Sequence, residues 1–297
     1  MKSTVKKIIN RLGYDVAFRR IAKNSNHHSK PICFVHVPKS GGISIDLAMR
    51  EQFAIAGQPR FSREGAIAMS LAGMNREITD LDSISEFSDH HAKQLTGLLA
   101  YHLAQDWPYV SGHVTTNKQL LNQFANQYHF VTVLREPVSR FKSNYLYNKL
   151  TNSLPMMAPN NLNYDNLTAE VDTILQHRRG WQMANVTSMC IAGRFASDEH
   201  DAKTLQSEFS DNLEKYSVVS FLDNLDSFSS KIYTLTGKQI NIGSHNTTES
   251  HLDKQKQCVK DTLQNYLNEP HINKKIQHLC RFETENYLRA KEKHSTL

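Results

Sequence analysis

The chain has 297 residues, of which 39% are hydrophobic and 22% charged, and a formal net charge of +6. That length can bury one sizeable core, and no apolar run approaches the roughly 18 to 20 residues that a membrane-spanning helix needs, so no transmembrane helix is expected. The mild, dispersed positive charge suits anionic ligands such as phosphates or glycans and argues against a dedicated nucleic-acid binder. Cys33, Cys190, Cys258 and Cys280 show no paired spacing, which predicts free thiols in a reducing compartment.

Residues 1 to 23 place Val5, Ile8, Ile9, Leu12 and Val16 on one helical face, with Lys2, Lys6, Lys7, Arg11, Arg19, Arg20 and Lys23 around the rest. This pattern predicts a basic amphipathic helix, which attaches reversibly to an anionic membrane, docks on its own domain or is a frayed tail. With the polar linker that follows, it occupies residues 1–30 and leaves 31–297 as one domain. The first residues lack the apolar core and cleavage site of a secretory signal, so the expected location is cytoplasmic, with peripheral membrane contact through residues 1–23 left open.

Ile32 to Val37 reads as a buried strand, followed by a turn and a helix from Ser44 to about Phe53. Residues 57–103 read as mostly helical or irregular, with an apolar segment at Ala66 to Ala72. Short strands are predicted at Tyr109–Val110 and Phe130–Leu134, and Pro137 sits where a proline opens a helix running to about Tyr147. The Asn- and Pro-rich stretch Thr151 to Leu167 reads as a loop, then helices follow at about Glu170–Arg178 and Trp181–Ala192. A strand at Val218–Leu222, a helix at Asn224–Leu235 and two C-terminal helices broken at Pro270 complete the pattern. Strands alternating with helices predict an α/β fold: a central parallel sheet flanked by helices, with ligands beyond the carboxyl ends of the strands.

Two segments lie at such ends. In Phe34-Val35-His36-Val37-Pro38-Lys39-Ser40-Gly41-Gly42-Ile43-Ser44, the glycines let backbone N–H groups approach an anion, the helix start adds positive potential and Lys39 adds a full charge. The lysine precedes the glycines, so this is not the nucleoside-triphosphate loop Gly-x-x-x-x-Gly-Lys-[Ser/Thr]. In the second, Leu134-Arg135-Glu136-Pro137-Val138-Ser139-Arg140-Phe141-Lys142-Ser143, a guanidinium at a strand end can grip a phosphate through two hydrogen bonds, and a helix hydroxyl can complete the contact. On its own, Arg135-Glu136-Pro137 is better read as a capped helix start with a surface ion pair.

Together the two segments resemble the cofactor-binding motifs of sulfotransferases that use 3'-phosphoadenosine-5'-phosphosulfate (PAPS), especially the carbohydrate branch that includes heparan sulfate 2-O-sulfotransferase. The first is similar to that branch's Pro-Lys-Thr-Gly-Gly-Thr-Ser loop, with Ser40 for the first Thr and Ile43 for the second. The second follows Leu-Arg-Glu-Pro-x-x-Arg-Phe-x-Ser-x-Tyr almost throughout. The resemblance, spread over residues 31 to 290, implies a P-loop-NTPase-like sulfotransferase fold in a single domain, with PAPS as co-substrate and no metal. It implies that Lys39, Ser40, Gly41, Gly42, Ile43 and Ser44 hold the 5'-phosphosulfate, and that Arg135 and Ser143 hold the 3'-phosphate. Asn246 and Thr247 would come from a loop over the cofactor.

Sulfuryl transfer needs a base for the acceptor hydroxyl and a cation at the departing phosphate. His113, in Ser111-Gly112-His113-Val114, resembles the base of the 2-O-sulfotransferase branch, and Lys39 is the candidate cation. His36 is expected to pack or hydrogen-bond locally. Asn185 to Gly193 resembles a further family segment, with Ser188 where Thr or Arg is common. The expected acceptor is a hydroxyl of a sugar or glycan, and Arg60, Arg63, Lys149, Arg178 and Arg179 are candidates to border its cleft.

Two other readings compete. A non-catalytic binder of 3'-phosphoadenosine nucleotides would keep Lys39, Arg135 and Ser143 and tolerate loss of His113. Asp80-Leu81-Asp82 has the Asp-x-Asp pattern of metal-dependent glycosyltransferases, although such carboxylates also cap helices. His27-His28 and His90-His91 lack a carboxylate or Cys at ligand spacing and read as solvated loops.

Overall fold

The computed structural model describes residues 30–151, 163–243 and 253–295. The expected helix at 1–23, His27-His28, most of the Asn- and Pro-rich loop, and Asn246 with Thr247 lie outside the described residues.

Four short strands carry the sheet: β1 (Ile32–Val35), β2 (Tyr109–Gly112), β3 (His129–Leu134) and β4 (Val218–Phe221). They pair parallel in the order β2-β1-β3-β4, with Val35 opposite both Gly112 and Thr132. Parallel strands covered on both faces read as continuous apolar runs, and the two-residue period of each strand divides those residues between faces. Cys33 and Val35 of β1, with Phe130 and Leu134 of β3, enter one core. Ile32, Phe34, Val131 and Val133 enter the opposite one.

The second face is covered by α1 (Gly42–Phe53) through Ile45, Ala48 and Met49. The first is covered mainly by α3 (Leu81–Leu103), which follows the short α2 (Arg63–Ala72), and by α4 (Lys118–Phe124). Beyond β3, α5 (Pro137–Thr151), α6 (Tyr164–Gln176) and α7 (Arg178–Ala184) form a separate helical core. The first face is completed by α8 (Val186–Ala192) and α9 (Glu199–Leu213). After β4, α10 (Leu225–Thr236) joins α1 on the second face. Both α11 (Lys254–Asn268) and α12 (Pro270–Leu279) pack into the helical core, while α13 (Arg281–His294) returns to the first face through Tyr287 and Ala290. The described chain is a single α/β domain with a central parallel sheet flanked by helices.

The strands and their order of appearance agree with the sequence pattern; several helix boundaries do not. Neither α4 nor α9 was expected. Both are started by side-chain caps, Asn117 onto the Leu120 N–H and Asp198 onto the Asp201 N–H, which polar-rich segments disguise. The start of α6 falls inside the expected loop, where Asn163 caps it. The predicted helix Trp181–Ala192 is two, separated at Asn185, and the C-terminal pair is three, because the chain breaks again at Cys280. Neither Asn185 nor Cys280 is a glycine or proline, so no breaker marks those ends in the sequence. Among the described residues no helix is long and apolar enough to cross a membrane. All four cysteines are free; Cys258 is exposed and the other three are buried.

Candidate functional site

In a sheet ordered 2-1-3-4, the chain leaves β1 toward one side and later returns on the other, so the switch point at which such sheets bind ligands lies at the carboxyl ends of β1 and β3. The Lys39 loop follows β1, Arg135 follows β3, and His113 follows β2 next to β1.

The loop is tightly turned. Ser40 N–H donates to the Val37 carbonyl at 3.3 Å, and both Lys39 (φ 65°) and Gly41 (φ 75°) are left-handed. For lysine that conformation costs on the order of 1 kcal/mol, strain of the kind that clusters at binding sites. Such turns at a helix start are the backbone from which anion-binding nests are made. Glycine is required twice: a Cβ on Gly41 would stand 2.6 Å from Leu222 Cδ1, and one on Gly42 only 1.9 Å from the His36 ring. The α1 helix that begins here has no side-chain cap and no acidic residue in its first turn, whereas Ser62, Asp80, Asn117, Asn163, Asp198, Asn224 and Asp253 cap other helices of the chain. Ser40 Oγ is buried and has no hydrogen-bond partner among the described residues. Ile43 presents its side chain outward, 51% exposed, so only its backbone N–H is suited to meet an anion.

Arg135 is tied directly to this loop, its Nη1 donating to the Lys39 carbonyl at 2.9 Å. The expected surface ion pair with Glu136 does not form. Instead the Glu136 carboxylate accepts from the Val138 and Ser139 N–H groups at 2.9 and 2.7 Å and caps α5 behind Pro137. The nearby Lys39 ammonium rests 4.0 Å from the centre of the Tyr147 ring. Among the described residues neither Lys39 nor Arg135 is paired with a carboxylate. Burial lowers the pKa of both, and each is lowered further by a neighbouring cation, Arg135 for Lys39 and Arg140 for Arg135. Half-buried cations that disfavour one another are stabilised by an incoming anion.

Ser143 lies two turns into α5, half-buried, and its side chain makes no hydrogen bond among the described residues. The buried Arg140, on the same helix, donates through Nη2 to the Met183 and Ala184 carbonyls at 2.8 and 2.7 Å. It thereby ties α5 to the carboxyl end of α7 and leaves Arg135 as the guanidinium facing the loop.

His113 is solvent-exposed, yet enough protein surrounds it for desolvation to lower its pKa. Both facts fit a ring in a concave position. Its Nδ1 lies 3.0 Å from the His36 carbonyl oxygen, and the two imidazole rings are tilted against each other with centroids 4.0 Å apart. A carbonyl can only accept, so Nδ1 carries the hydrogen and Nε2 of the neutral ring keeps its lone pair. Arg63 and Lys39 reinforce the lowering, while the His36 carbonyl and Asp46 oppose it. His36 itself packs between Phe34 and His113 and against Gly42. Its pKa is held well below the ordinary imidazole value by burial, His113 and Lys39.

Other expected residues lie elsewhere. Lys149 is buried and paired with Glu170 at 2.5 Å, Arg178 pairs with Asp89 at 2.6 Å, and buried Arg179 donates to Ser88 Oγ at 2.6 Å. These three link helices to one another, Lys149 joining α5 to α6 and Arg178 and Arg179 joining α7 to α3. Arg60 and Arg63 are exposed, and Arg63 is close enough to act on His113 and His91. Ser188 is buried, with its N–H on Glu283 Oε1 at 2.6 Å, and the end of α8 receives Thr116 through the Cys190 and Ile191 carbonyls. The Asn185–Gly193 segment therefore anchors the loop after His113. Asp80 caps α3 in a capping box with Ser83, and Asp82 contacts His177 at 3.1 Å. His90 lies beside Gly73, and His91 Nδ1 contacts Ser70 Oγ at 2.7 Å.

Sequence reasoning missed Asp46. Its carboxylate accepts from Tyr109 OH at 2.9 Å, from Ser111 Oγ and from Arg50 Nε at 2.8 Å. Only the polar i, i+4 pair Asp46–Arg50 hints at it in the sequence. No protein-family model matches the chain, and no curated protein matches it.

Proposed function

We propose that this chain is a PAPS-dependent sulfotransferase with a P-loop-like fold, acting on a hydroxyl of a sugar or glycan. The observation that carries the reading is the meeting of the two motifs: Arg135, from the end of β3, binds the carbonyl of Lys39, from the end of β1, with His113 beside the same loop. Among the described residues, two cations without a carboxylate partner, a glycine cradle and a buried Ser40 hydroxyl without a hydrogen-bond partner suit a ligand with two phosphate ends.

Lys39, the 40–44 loop and the start of α1 would hold the 5'-phosphosulfate, and Arg135 with Ser143 the 3'-phosphate. PAPS supplies an activated sulfuryl group on a phosphate leaving group. His113 Nε2 takes the proton of the acceptor hydroxyl as that oxygen bonds to sulfur. The Lys39 ammonium neutralises the charge left on the phosphate oxygen as its bond to sulfur breaks.

Thermal stabilisation is the direct test. The 3',5'-bisphosphate product, 3'-phosphoadenosine-5'-phosphate, should raise the melting temperature well above the rise given by 5'-AMP or ATP at equal concentration. Equal responses to the three nucleotides would overturn the reading.

A further inference from the structure

Among the described residues, the His113 ring has no carboxylate hydrogen-bond partner of its own. His113 Nδ1 is held by a backbone carbonyl, so the position of the imidazole depends on how the ends of β1 and β2 sit against the phosphate-loop helix. One carboxylate joins those parts. Asp46 lies one turn into α1, four residues after Gly42, and Ser111 lies on β2, two residues before His113.

Asp46 Oδ1 receives both the Ser111 hydroxyl and the hydroxyl of fully buried Tyr109. Arg50 closes the ring, with Nε on Asp46 Oδ2 at 2.8 Å and Nη2 on Ser111 Oγ at 2.7 Å. A carboxylate partly buried against a tyrosine is costly unless its oxygens are satisfied, and satisfied networks of this kind fix one arrangement of the elements they join. The charged and titratable groups that act on His113 are His36 and Lys39 from the segment after β1, Arg63 from α2 and Asp46 from α1. Asp46 is the one anion among them.

We infer that Asp46 is a positioning residue for His113: through Ser111 it locks the base-bearing end of β2 to the phosphate-loop helix, and its charge favours the imidazolium formed when His113 takes a proton. The role rests on the reading of His113 as base, but its geometric half does not require turnover.

The test is an NMR titration of the His113 ring in wild type, Asp46→Asn and Ser111→Ala, with the signal assigned by its loss in His113→Asn and folding checked by thermal transition. Sulfuryl transfer from radiolabelled PAPS to unsulfated oligosaccharides is followed in parallel. Asp46→Asn should lower the His113 midpoint by a few tenths of a pH unit, move the acid limb of the rate profile down with it and cut kcat by about tenfold or more. Stabilisation by 3'-phosphoadenosine-5'-phosphate should stay at the wild-type level. Ser111→Ala should displace the His113 ring signals and lower kcat while leaving the midpoint near wild type.

Wild-type ring signals, midpoint and kcat in Asp46→Asn would overturn the inference. Should Asp46→Asn fail to fold, Ser111→Ala decides: displaced His113 signals support the inference and unchanged ones overturn it. A wild type that ignores the 3'-phosphate defeats the sulfotransferase reading, yet leaves the NMR comparison to decide the positioning role by itself.

Discussion

His113 Nδ1 stands 3.0 Å from the carbonyl oxygen of His36, and this contact fixes the imidazole as the tautomer whose Nε2 can accept a proton. Replacement of His113 by Ala or Gln should lower kcat by about 100-fold to 10,000-fold, the usual contribution of a general base. Stabilisation by 3'-phosphoadenosine-5'-phosphate should persist, which separates loss of the base from loss of cofactor binding. Unchanged turnover in a variant that still binds the nucleotide would remove His113 from the mechanism.

The pH–rate profile follows from the same ring. Desolvation by the surrounding protein, with Arg63 and Lys39, lowers the His113 pKa below the ordinary imidazole value of 6.5, so the unprotonated ring persists below that pH. The acid limb of kcat/KM should therefore fall off below pH 6.5. Neutralising Arg63 with Gln, which removes a cation that disfavours imidazolium, should move that limb upward.

Arg135 reads the 3'-phosphate in this proposal. Its replacement by Ala should weaken 3'-phosphoadenosine-5'-phosphate by roughly 10-fold to 100-fold, the worth of a charge-assisted bidentate contact. Binding of 5'-AMP should change far less. Titration calorimetry with both nucleotides checks this, and a uniform loss would mean that Arg135 only supports the loop through the Lys39 carbonyl.

Gly42 has no room for a methyl group, since a Cβ would stand 1.9 Å from the His36 ring. Gly42→Ala should displace that ring and cost about 1 to 3 kcal/mol, the range for overpacking a well-filled site. Denaturant unfolding measures the loss. His36→Ala in the Gly42→Ala background should recover part of it, because the clashing atoms are gone.

Acid should destabilise the fold from about pH 6.5 downward. His91 has its pKa lowered to about 4 by burial, with Arg63 and His90 adding, so the unfolded chain binds a proton that the folded one refuses. Its contribution is complete above 6.5 and is lost as pH falls toward 4, on the order of 2 kcal/mol for a partly buried ring. Denaturant midpoints at pH 7 and 4.5 should therefore differ less in His91→Gln than in wild type.

The parallel sheet was legible because buried strands such as Val131–Leu134 are short apolar runs set between helical segments, a pattern with few alternatives. The loop at 38–44 was legible because its glycines and lysine are contiguous. Helix ends at Asn185 and Cys280 were not, since packing rather than a breaker residue sets them. Lys149 and Arg179 looked like cleft residues because a sequence does not show which cations already have partners.

The sequence alone determined the alternation of strand and helix, and hence which segments end at the carboxyl edge of the sheet. Tertiary structure decided what those ends do to one another. It left Arg135 on the Lys39 carbonyl rather than on Glu136, oriented His113 through His36, and brought Asp46 to Ser111 across 65 residues of chain. Periodicity and propensity are local properties and can be read along the chain. Hydrogen-bond partnership between residues so far apart exists only once the parallel strands have set their order and register.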